Sequence, residues 1–220
     1  MTTRPSIKLY KYLPARYAVA CVESHQIRAS TFDTLNDPYE ITPCFLFGTG
    51  ERRVDEELFV KSWKNLFVKN YGMISMSTVL KDPVLWAHYA DSHQGIVLEF
   101  DCFLSDNLVE VKYNNARPVI DLQKWDHHNH TEIMKDVLRI KWESWRYENE
   151  YRSYVELEKC VTRNMLYFWP IPDRFLTRII LGNRCTLSAE YMSRALKQNK
   201  FTETEIVSAK LSNTTYEIEV

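Results

Sequence analysis

Asp82 to Phe100 reads DPVLWAHYADSHQGIVLEF. Asp82 suits a helix N-cap, and Pro83 suits the first helical position. Leu85–Ala90 continues as a short helix, Gly95 breaks it, and Ile96–Phe100 is a run of buried-strand type. Two histidines, a tryptophan, a tyrosine and two aspartates crowd the entrance to that strand. Burying such groups requires partners, so a site is expected here. Trp86, Tyr89 and His93 stand at helical spacing and can share a face. Glu99, inside IVLEF, is expected on the solvent face of an alternating strand. A desolvated or cation-paired position is the alternative.

Outward from this stretch the pattern alternates between strands and helices. Strands are predicted at 7–13, 25–31, 71–78, 108–113, 151–157, 176–181, 205–211 and 215–220. Helices are predicted at 15–23, 56–69, 132–145 and 188–198, with Ser188 as an N-cap. Thr34–Glu40, TLNDPYE, reads as a turn, and WDHHNH at 125–130 as a polar connector. The order lacks regular β-α-β repetition. It points to an α+β fold with a central, mostly antiparallel sheet and inserted helices. A single domain over 1–220 is expected, because 220 residues suffice for one sizeable core.

Composition narrows the function classes. The formal charge is −1, from 28 Lys and Arg against 29 Asp and Glu, which gives no global steering toward nucleic acid. No run approaches the length of a membrane span, and MTTRPSIKLYKY lacks a signal-peptide core, so a cytoplasmic protein with no membrane partner is expected. The five cysteines form no C-x-x-C pair and are odd in number, which fits reduced thiols. Neither G-x-G-x-x-G nor a P-loop is present.

Several residues are candidates for chemistry. Glu148, Glu150 and Arg152 alternate in RYENEYRSY, so an extended backbone places all three on one face. A carboxylate there can bind a ribose hydroxyl or stabilise positive charge developing on a sugar, and Arg152 can hold a phosphate. The plainer reading is an internal salt-bridge ladder. Arg28, Ser30 and Thr31 are candidates for a phosphate or ribose corner. Ser75 and Ser77 in ISMST are candidates for ligand contact, but G-x-S-x-G is absent. His88 and His93 are candidates for acid–base work, and Tyr89 and Trp86 for ring contacts. HHNH at 127–130 is read as surface polarity, and no metal site is predicted.

Six segments carry a family resemblance: LYKYL at 9–13, STFDTLNDPYE at 30–40, ISMST at 74–78, DPVLWAHYADSHQGIVLEF at 82–100, KWESWRYENEYR at 141–152 and RIILGNRC at 178–185. Together they resemble the bacterial DUF2971 family, which implies no particular reaction. A weaker resemblance is to the ADP-ribosyltransferase superfamily, with no H-Y-E or R-S-E set fixed. That likeness implies NAD as substrate, with ADP-ribosyl transfer to a protein or nucleic-acid acceptor, or NAD glycohydrolysis. It implies Glu150 or Glu148 as the catalytic acid, with Ser75, Ser77, Lys11 and Tyr12 around the nicotinamide ribose. Arg28 or Arg152 would meet the diphosphate. Two other classes remain open. One is a non-catalytic nucleotide, nucleic-acid or protein binding module in bacterial stress or phage defence. The other is a metal-dependent nuclease using Asp37, Glu40 and histidines.

Overall fold

Ile96–Phe103 (β5) is buried on both faces over residues 96–100 because it runs through the interior of a seven-stranded sheet. The computed structural model describes residues 5–47, 58, 61–62, 65, 69–104, 107–124 and 136–220. In the sheet β5 lies between Ser6–Leu13 (β1) and Leu176–Leu181 (β13). Glu205–Ser208 (β14) flanks β13, and Tyr71–Ser77 (β4), Glu150–Glu156 (β10) and Leu108–Glu110 (β6) follow β1 in that order. Every neighbouring pair is antiparallel except β13 with β14. A parallel pair needs a crossover. Helix Ala189–Gln198, between β13 and β14 in the chain, supplies it.

Period-two alternation divides β5 between two cores. Ile96, Leu98 and Phe100 join Leu9, Ile74 and Ile179 beneath helix Ala15–Ser24 (α1) and helix Ala189–Gln198. Val97 faces the other way, with Tyr12, Ile180, Leu85 and Trp86. Helix Pro83–Tyr89 (α2) packs there, and the Asp82 side chain accepts from Val84 N at 2.7 Å as its cap. At Gly95 a Cβ would stand 2.2 Å from Leu13 O and 2.8 Å from Ala90 O, so only glycine lets α2 return into β5.

Glu99 corrects its expected solvent exposure. It is fully buried on the α2 face. Arg178 donates to it from β13, Lys8 from β1 at 3.2 Å, and Thr177 at 2.9 Å. Neighbouring strands supply those donors, and the local pattern of β5 does not contain them.

Helix 132–145 is a second correction. Residues 136–139 are helical, but Ile140–Trp142 (β9) is a strand parallel to Lys112–Asn114 (β7). A 3₁₀ segment, Glu143–Glu148, follows. Tertiary pairing outweighs helix propensity at this point. Of the helix predicted at 56–69, positions 58, 61, 62, 65 and 69 are helical. Its apolar residues Phe59, Trp63, Leu66 and Phe67 lie outside the described residues, as does the connector 125–130. The strand expected at 215–220 shortens to Ile218–Glu219, which pairs with Lys210–Leu211. Gln26–Ala29 (β2) belongs to a second sheet with Val161–Arg163 (β11) and Leu166–Pro170 (β12).

Candidate functional site

The sheet parts between β1 and β4. These strands pair at one position, Tyr10 opposite Ser77. Further along, Met73 exchanges both backbone hydrogen bonds with Ser30 at the end of β2, at 2.8 and 2.9 Å. Between those two pairings Ser75 O accepts from Lys11 Nζ at 2.8 Å. The strands therefore separate, and a cleft of about 290 Å³ opens at the split. Tyr10, Lys11 and Tyr12 line it from β1, and Ser75 and Ser77 from β4. Tyr89 of α2, Lys141 of β9, Glu148 and Glu150 complete the part that carries polar chemistry, with Ser30, Asn36 and Glu40 at its side.

An ionic cluster forms one wall. Lys141 Nζ lies 2.6 Å from Glu148, 3.0 Å from Glu150 and 3.8 Å from Glu40. Arg152 is fully buried behind Glu150. Its Nε donates to Glu150 at 3.0 Å, its Nη1 to Leu138 O at 2.8 Å, and its Nη2 to Glu40. Tyr89 OH donates to the second oxygen of Glu148. The backbone braces this wall as well. Ser77 Oγ donates to Glu148 O at 2.5 Å, and Glu150 N donates to Tyr113 OH at 2.8 Å.

Two carboxylates in this wall titrate in opposite directions. Burial by itself raises the Glu150 pKa, but the charges of Arg152 and Lys141 outweigh it and hold the carboxyl at about 2. Burial dominates at Glu40 and raises its carboxyl against the pull of Arg152 and Lys141. Burial also lowers Lys141, yet Glu150, Glu40 and Glu148 raise it further, so it stays charged. Desolvation lowers Lys11, with Glu150 opposing.

The stability consequence follows from the sign of each shift. Glu150 falls below its ordinary value on folding. Its ionised form therefore stabilises the fold above about pH 4.5, and that contribution fades as pH drops toward 2. Glu40 acts oppositely, since protonating it relieves a cost of burial. Urea-unfolding free energy should therefore decline on acidification below about pH 4.5, with a Glu150 share on the order of 3 kcal/mol. Glu150→Gln should shallow that decline. A decline unchanged in this variant would remove Glu150 as its source.

Of the twelve residues assigned from sequence to a catalytic or NAD-binding role, eight line the cleft: Lys11, Tyr12, Ser30, Ser75, Ser77, Tyr89, Glu148 and Glu150. The other four are placed elsewhere. Arg152 is enclosed in the wall, where its guanidinium meets carboxylates and a carbonyl. Arg28 is exposed on β2, opposite Phe168. Trp86 is fully buried, gives its indole N–H to Leu80 O at 2.8 Å and meets Tyr12 edge to face. His88 is exposed, with Nδ1 3.1 Å from Tyr147 OH. Glu148 and Glu150 do not share one extended ladder, because Asn149 between them is left-handed at φ 42°. Tyr12 gives its hydroxyl proton to Val79 O at 2.7 Å, and burial, the main cause, raises its pKa well above the ordinary value. It positions the cleft wall while remaining protonated.

Lys141 and Tyr10 escaped the sequence reading as site residues, and Glu40 entered it only as a candidate of the nuclease reading. Lys141 was assigned to a helix, and Glu40 to a turn whose local geometry needed no partner. One signal was present: three closely spaced charges at 148–152 require compensation once the strand is buried.

Among the described residues no group of three or more His, Cys, Asp or Glu is arranged to hold a metal ion. Among the same residues no helix is long and apolar enough to cross a membrane. No curated protein and no solved structure matches the chain. Residues 85–153, which carry Tyr89, Lys141, Glu148, Glu150 and Arg152, match the family described as "Protein of unknown function (DUF2971)", and over that stretch the chain is similar to it.

Proposed function

We propose that the cleft binds the nicotinamide riboside end of NAD, and that the protein transfers ADP-ribose to a macromolecular acceptor or to water. One observation carries this reading. Tyr12, Ser75 and Glu150, from three separate segments, line one cleft with the Lys11 side chain. A volume of about 290 Å³ suits one end of a dinucleotide, with the remainder outside.

The chemistry asked of the wall is charge stabilisation. The C1′–N1 bond breaks, its electron pair leaves with nicotinamide, and positive charge develops on the ribose. Glu150 is anionic above its lowered pKa and supplies fixed negative charge close to that centre. The acceptor lone pair forms the new bond to C1′. The acceptor proton passes to Glu148, whose partner Tyr89 OH already holds the carboxylate in place. Lys11 donates to Ser75 O at 2.8 Å and makes no ion pair among the described residues, so an anionic phosphate beside it would favour the charged form that burial opposes.

A second reading has its own support. Lys141, Arg152 and Tyr89 engage the oxygens of Glu148 and Glu150, and a wall satisfied in this way can hold a nucleotide without turnover.

One experiment separates the two. Purified protein is incubated with NAD labelled in the nicotinamide ring, with and without a bacterial lysate. Free nicotinamide is the expected product, joined by labelled macromolecule when the label is moved to the adenylate. NAD binding without nicotinamide release would favour the binding module. Neither binding nor release would discard both readings.

A further inference from the structure

A second cleft of about 230 Å³ adjoins the first. Glu40 and Lys141 line both, so the ionic cluster is the partition between them. The ribbon of β7 and β9 explains the arrangement. Its parallel register sets Tyr113 beside Lys141 and Asn114 beside Trp142. Side chains alternate between the faces of a strand. One face therefore sends Lys141 and Tyr113 to the partition, and the other sends Trp142 and Asn114 to the second cleft.

That cleft carries two large rings left in water. Trp142 is 54% exposed and Tyr39 is 64% exposed, and both line it. Neither ring is spent on packing a core, and an open ring face is a stacking surface. Around them stand the amides of Asn114 and Asn115, Arg117, and the carboxylate of Asp37, whose Oδ1 accepts from Tyr39 N at 2.9 Å, with Glu40 and Lys141 bound up in the partition. Asn114 Oδ1 accepts from Ala116 N at 3.1 Å, which leaves its NH₂ as a donor. Asn115 lines the same cleft. Arg117 lies 5.9 Å over the Tyr39 ring and gives Nε and Nη2 to the carbonyls of Thr42 and Pro43, while its Nη1 makes no hydrogen bond among the described residues.

This chemistry selects a flat, uncharged ring with donors and acceptors on its edge. Arg117 opposes a cationic group, and the buried Asp37, held in its own turn by Tyr39 N, supplies an acceptor for an amino group on a ring edge. An anionic one would find Lys141 already bound to three carboxylates. The space suits one ring system rather than a whole drug-sized molecule. We propose that the second cleft binds a nucleobase of a single-stranded nucleic acid, stacked on Trp142 and held at its edge by Asn114 and Asn115. That this strand is the acceptor of ADP-ribose rests on the NAD reading. The base site itself does not.

The test uses fluorescein-labelled single-stranded DNA and RNA oligonucleotides of mixed sequence, their duplexes, and fluorescence anisotropy without NAD. A single strand should bind and its duplex should bind more weakly. Trp142→Ala should raise the Kd about tenfold, as expected for a stacked base, and Trp142→Phe, which keeps a ring, should recover most of the loss. Because Trp142 is exposed, circular dichroism should show the fold of both variants unchanged. Absence of single-strand binding would overturn the base site, and so would a Kd unaffected by Trp142→Ala. Nicotinamide release is measured separately on the unaltered protein. Release without oligonucleotide binding overturns the base site and leaves the NAD reading standing. Trp142-dependent binding without release supports the base site and removes the NAD reading.

Discussion

Arg152→Met should lower folding stability by about 3–5 kcal/mol, the usual cost of removing one partner from a buried ion pair. The side chain is fully buried and serves Glu150, Glu40 and Leu138 O together. Methionine fills much of its volume but donates nothing. Three carboxylates would then share Lys141. The least expensive response is protonation of Glu40, whose carboxyl burial already raises. The loss should therefore be largest near neutral pH and smaller in mild acid. Adding Glu40→Gln should return part of it, since the pair contacts directly and such effects are not additive. Urea denaturation of the single and double variants measures both effects. A single-variant loss below about 1 kcal/mol, in the range of surface pairs, would mean that the cluster is open to water.

Glu150→Gln should reduce nicotinamide release by about a hundredfold or more, the scale of removing one preorganised electrostatic group at a developing charge. Glutamine keeps the shape, and its one oxygen can still accept from Lys141 and Arg152 Nη2, but the negative charge is gone and its NH₂ is left facing Arg152 Nε. Glu148→Gln should act differently. Its carboxylate is assigned to the acceptor proton, so transfer to a macromolecule should suffer more than hydrolysis by water. Comparing the two products in each variant separates these roles. Circular dichroism and the urea midpoint of each variant distinguish lost chemistry from lost fold. Turnover within twofold of the unaltered protein, on the scale of measurement scatter, would strip Glu150 of its role.

The residues of the cleft were more legible than its architecture. Ser75, Ser77 and Glu150 could be selected because hydroxyls and acids placed in strand patterns need a reason to be there, whereas Tyr12 was named only through a resemblance. Their convergence depends on strand order, with β1, β4 and β10 adjacent although 64 residues separate Lys11 from Ser75. Lys141 was illegible for a related reason. Its stretch has good helix composition, but pairing of β7 with β9 overrides that preference. Trp86 looked like a ligand platform because it sits among polar residues. Its indole instead closes the core over Tyr12.

What the sequence determined by itself was local. Asp82 and Pro83 start α2, Ser188 caps the last helix by accepting from Tyr191 N at 3.2 Å, and Gly95 lets the chain turn back into β5. These features arise between residues a few positions apart, where dihedral preference and capping act. The tertiary structure alone decided which charges are buried and with whom. Glu40 and Arg152 are 112 residues apart, and Lys8 and Glu99 are 91 apart. A charge can leave water only when its partner arrives with it, and that partner is chosen by sheet order rather than by neighbours in the chain.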